Sequence, residues 1–96
     1  MDMIRRLILD VLKPHNPSIV ELAKRIASLP GVVGVNITLQ EVDKDTDSVK
    51  ITIEGDNIEL EKVEEVIENC GAVIHSIDGV SAGAKIVEEI STPQDR

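Results

Sequence analysis

From Met3 to Lys13 the chain alternates, with Leu7, Leu9 and Val11 on one side and Arg6, Ile8, Asp10 and Leu12 on the other. A two-residue period of this kind predicts a strand with one apolar and one mixed face. The stretch PHNPSIVELAKRIASLPG changes the period: Ile19, Leu22, Ala23, Ile26 and Leu29 share one helical side. Asn16, a capping residue, Pro17, suited to a first turn, and the Ser18/Glu21 pair start this helix, and Pro30-Gly31 ends it. Alternation returns in Val33, Val35, Ile37 and Leu39, opposite Asn36, Thr38 and Gln40, and resumes after DKDTDS in Val49, Ile51 and Ile53. Two β-branched runs about a polar turn predict a hairpin. Between about Asn57 and Cys70, Leu60, Val63, Val66, Ile67 and Cys70 recur at helical spacing in an acidic segment. A last strand begins near Ala72 and runs through VIHSIDGVSAGAKIV, with Gly79 and Gly83 marking bulges or bends.

The predicted order βαββαβ defines an α+β class: a ferredoxin-like sandwich, with a four-stranded antiparallel sheet and two helices on one face. Right-handed crossovers place the first and third strands in the centre. At 96 residues the chain suits one domain over residues 1–96, with a core from about 3 to 90 and a flexible tail over 91–96. The final segment from Ala72 to Ile90 is longer than a small sheet uses, so its distal part is free to add to a neighbouring chain as a strand.

Composition narrows the partners. Ten Lys and Arg stand against 18 Asp and Glu, a net charge of -8, which repels nucleic acid and anionic membranes. Aromatic content is 0%, so the core is aliphatic and offers no stacking platform for bases or sugars. No apolar stretch reaches the length of a membrane span. Cys70 is the single cysteine, permits no internal disulfide, and has no cationic sequence neighbour to activate it. These features suit a soluble chain in a reducing cytoplasm.

Three constellations carry candidate chemistry. Asp43, Asp45, Asp47 and Glu54 fall at the first, third, fifth and twelfth places of a calcium-binding EF-hand loop. The sixth place holds Ser48 where that loop needs Gly, and the flanks alternate as strands, so the match is one of spacing only. Asp43, Asp45 and Asp47 then read as a solvated turn, or as a loose hold on a divalent cation, calcium or magnesium. In KPHNPS, His15 lies at the strand-helix junction, where helix amides receive anions. On the open sheet face, alternation gathers Asp10, Thr52, Ser76 and Asp78 with Arg6, Asn36 and Thr38 around them. His75, out of phase, falls on the opposite face between Val73 and Ile77 and reads as a neutral core or edge histidine rather than a metal ligand. The same open face carries Ile8, Leu12 and Ile74, which a lone subunit leaves wet, so a second copy is its natural cover.

The segments LDVLKPHNPSIVELAKRIASLPGVVGVNIT, EVDKDTDSVKITIEG and GAVIHSIDGVSAG resemble the archaeal family known as domain of unknown function 211, over nearly the whole chain. The resemblance implies a ferredoxin-like fold, an archaeal cytoplasmic origin and a homo-oligomer, a closed ring among its forms. It implies no established activity, so no catalytic residues carry over. Ser81 stands where an aliphatic residue is expected in the family's last strand. The leading expectation is a non-enzymatic, self-assembling binding or sensor module for a small ligand or divalent cation, with Asp10, His15, Ser76 and Asp78 as polar anchors. The alternatives are a hydrolase or transferase pairing Asp10 or Asp78 with His75, and a purely structural protein-interaction module.

Overall fold

A computed structural model of the chain describes residues 3–90, and the expected tail over 91–96 lies outside the described residues. Its elements are β1 (Ile4–Pro14), α1 (Ile19–Ala27), β2 (Val32–Val42), β3 (Thr46–Gly55), α2 (Leu60–Asn69) and β4 (Val73–Ala82). The strands lie in the order β2-β3-β1-β4, all pairs antiparallel, with the first and third strands central. This is the ferredoxin-like α+β sandwich that the periodicity predicts.

One face of the sheet is dry because every second residue of the two central strands is aliphatic. Leu7, Leu9 and Val11 from β1 and Val49, Ile51 and Ile53 from β3 meet Leu22 and Ile26 of α1 and Val63 and Ile67 of α2, all fully buried. Ile51 sits at the middle, opposite Leu9 and Ile37 in register. Burying one such side chain contributes about 1.5–3 kcal/mol. The start of α1 is set by Ser18, whose Oγ accepts the Glu21 N–H at 3.2 Å, so Ser18 rather than Asn16 caps the helix. Gly31 and Gly55 let two turns touch. A Cβ on Gly55 would run into the Gly31 carbonyl, and one on Gly31, whose φ is +86°, into that of Asn57.

The molecule is a slab of 37 × 36 × 17 Å. Among the described residues both helices pack on the same side of the sheet, and no helix covers the opposite broad face.

Candidate functional site

Strand register puts the open face together row by row. Thr38, Lys50, Asp10 and Ser76 form one row across the four strands, and Asn36, Thr52, Ile8 and Gly79 form the next. Beyond these, Arg6 stands between Glu54 and Ser81. Asp10, Ser76 and Asp78 are thus brought together as the alternation predicts. Ser76 Oγ donates to Asp78 Oδ1 at 2.8 Å. A shallow depression of about 410 Å³ is lined by Asp10, Gln40, Glu41, Ser48, Lys50 and Asp78. Three carboxylates, one ammonium and two neutral polar groups on a rigid sheet suit a small polar ligand better than an apolar one.

Bulges on β4 correct the expected placement of Ile74. Ile74 is opposite Val11 while Ser76 is opposite Asp10, so His75 is an extra residue and the face changes there. Ile74 therefore packs on the core instead of the open face. His75 is exposed on the edge strand, the edge alternative of the expectation, and it does not line the depression with Asp10 and Asp78. A second bulge makes Asp78 the extra residue between Ile77, opposite Leu9, and Gly79, opposite Ile8. On β2 a further bulge turns Val33 out, 75% exposed, while Val32 takes the core position.

His15 is not part of the open-face group. It reaches the β2–β3 turn, where Nδ1 lies 2.9 Å from Asp47 Oδ1 and Nε2 lies 2.8 Å from the Lys44 carbonyl oxygen. Asp47 also receives Lys13 Nζ at 3.3 Å, and the Lys13 ammonium donates to the Pro14 and His15 carbonyls at 2.8 and 3.4 Å. The acidic turn and the KPHNPS loop, two separate candidates in sequence, thus occupy each other. Asp43, Asp45 and Asp47 are not gathered for a cation: Asp43 and Asp45 are exposed, and Asp47 is turned to Lys13 and His15. Among the described residues no group of three or more His, Cys, Asp or Glu side chains is placed to hold a metal ion.

Protonation follows these contacts. The Lys44 carbonyl first, then the Asp47 carboxylate, hold the His15 imidazole above its ordinary range, against burial and the Lys13 charge. Burial pushes the Asp47 carboxyl up, but hydrogen bonds from His15 and Lys13 and their charges outweigh it, and the net direction is down. Lys13 is the residue that sequence reading passed over. It continues the core phase Leu7, Leu9, Val11, and that phase was the available signal.

Cys70 does have a cationic neighbour in space. Arg25 Nη1 lies 3.3 Å from its Sγ, brought there by the packing of α1 against the end of α2. The thiol is nonetheless buried, at 6% exposure. The distal segment after β4 folds back rather than extending. Gly83 N–H donates to the Met3 carbonyl at 2.8 Å, Arg6 Nη1 to Glu88 Oε1 at 2.8 Å, and Ser81 Oγ to the Val87 carbonyl at 3.2 Å. Arg6 draws the Glu88 carboxyl below its ordinary range.

Fold and surface together define a ferredoxin-like α+β domain with one sheet face carrying both polar and apolar groups. The chain belongs to the DUF211 family, described as an uncharacterized ArCR, which it matches over residues 5–96. It is 54% identical over 96 residues to the uncharacterized protein MJ0319 of Methanocaldococcus jannaschii, covering 100% of this chain and 99% of that one. No helix among the described residues is long and apolar enough to cross a membrane.

Proposed function

We propose that this chain is a non-enzymatic, self-assembling cytoplasmic module whose copies close over the open sheet face and hold a small polar ligand at the Asp10 depression. The observation that carries this reading is the mixture on that face: Asp10, Lys50 and Asp78 stand beside Ile8 and the 37%-exposed Leu12, with no helix over them. Apolar groups there gain by being covered, and charged groups tolerate cover only with partners. A single cysteine without a disulfide partner suits a reducing compartment.

The test pairs the parent chain with an Ile8→Lys/Leu12→Lys variant in sedimentation velocity. The parent is expected to sediment as a defined oligomer and the folded variant to shift to smaller species. An unaltered assembly in the folded variant refutes the role given to this face. Titration of the parent with small amines, amino acids and divalent cations then finds the ligand class, and an Asp10→Asn/Asp78→Asn variant is expected to lose the heat.

A further inference from the structure

Both ring nitrogens of His15 face oxygen acceptors, Asp47 Oδ1 at 2.9 Å and the Lys44 carbonyl at 2.8 Å. A neutral imidazole carries one N–H and one lone pair, so it can donate to only one of them and turns the lone pair on the other. The imidazolium donates to both. The geometry therefore selects the protonated ring, and a contact is lost when the proton leaves. We propose that His15 is a proton-operated latch: as imidazolium it fastens the β2–β3 turn to the loop between β1 and α1, and as neutral imidazole it releases the turn.

Each side of the latch is held by different elements. Asp47 is on β3, Lys44 in the turn, and Lys13 at the end of β1, where its ammonium holds Asp47 Oδ2. Lys13 is 1% exposed and keeps the carboxylate in place whichever form His15 takes. With one N–H left, the neutral ring keeps the ionised acceptor Asp47 and turns its lone pair on the Lys44 carbonyl, so release acts on the turn rather than on the β1–β3 pairing. The turn matters because its flanks, Gln40, Glu41 and Ser48, form one wall of the Asp10 depression. The raised protonation range of His15 places this change where histidine serves as a pH switch. The inference does not depend on self-assembly.

The test is a pH series from about 5 to about 9 on the whole chain by NMR. The His15 ring nitrogens are read directly, and both are expected to be protonated until a pH above that at which His15 titrates in the same chain unfolded in urea. Amide exchange at Asp43, whose N–H donates to the Thr46 carbonyl at 2.8 Å, reports the turn. After correction for intrinsic rates it is expected to rise roughly fivefold as His15 loses its proton, the effect of one hydrogen bond. In His15→Gln that step should vanish. A ring with one protonated nitrogen at pH about 5, or a turn whose corrected exchange is flat across the His15 titration, overturns the proposal.

Discussion

Lys13 offers the sharpest quantitative test of how the end of the core is built. Its side chain is fully buried at 1% exposure, and its ammonium meets Asp47, Pro14 and His15 oxygens. Two contributions can be separated by substitution. Lys13→Met keeps the length of the apolar stem and removes the charge. It forfeits charge-assisted hydrogen bonds of about 1.5–3 kcal/mol each, but also removes the several kcal/mol that desolvating an ammonium costs. The net expectation is a loss of about 1–2 kcal/mol. Lys13→Ala removes three methylenes as well, and at ~0.8 kcal/mol per buried CH₂ it should cost about 2–3 kcal/mol more. In thermal denaturation at one fixed protomer concentration, the Ala variant is expected to melt roughly 10–20 °C below the Met variant. Two variants that melt together would show that the stem is not packed, and the burial argument for this residue would fail.

Acid should loosen the same cluster. The Asp47 carboxyl lies below its ordinary range in the folded chain, so its contribution is complete above its unfolded value, about 3.9, and is lost as pH falls through the lowered folded value. The gap in urea midpoint between the parent and Asp47→Asn should therefore narrow on acidification below about pH 4, and a constant gap contradicts the assignment. Gly55→Ala should cost roughly 1–3 kcal/mol or more in urea unfolding, because its Cβ meets the Gly31 backbone; unchanged stability would mean that the two turns do not touch. Arg6→Gln removes the ion pair that ties Glu88 to the sheet, so amides over 84–90 should exchange faster, and equal exchange would show that the segment is held by other contacts.

The fold was legible because each central strand keeps its period without interruption. Leu7 to Val11 and Val49 to Ile53 fix which face is dry, and two helical stripes then have one place to go. The open-face group was partly legible for the same reason, since Asp10 and Lys50 lie in unbroken strands. What failed lies at the bulges. An extra residue reverses every later side chain, which misplaced Val33 and Ile74; the glycines after Val33 and Asp78 are local marks of a bulge, and His75 carries none. Gly79 lies over Ile8, whose Cδ1 is 3.2 Å from where a Cβ would stand, and this contact is set by tertiary structure. The contact of Arg25 with Cys70 and the joining of His15 to Asp47 are also long-range. Residues 45 and 32 positions apart meet only once the strands and helices have packed.

Self-association through the uncovered sheet face is the proposition on which the functional reading stands. Native mass spectrometry of the intact chain, whose protomer mass is 10.4 kDa, addresses it most directly. The expected spectrum shows a defined integer multiple of that mass that persists on dilution and gives way to smaller species in the Ile8→Lys/Leu12→Lys variant. A spectrum dominated by the single protomer at micromolar concentration contradicts the proposal.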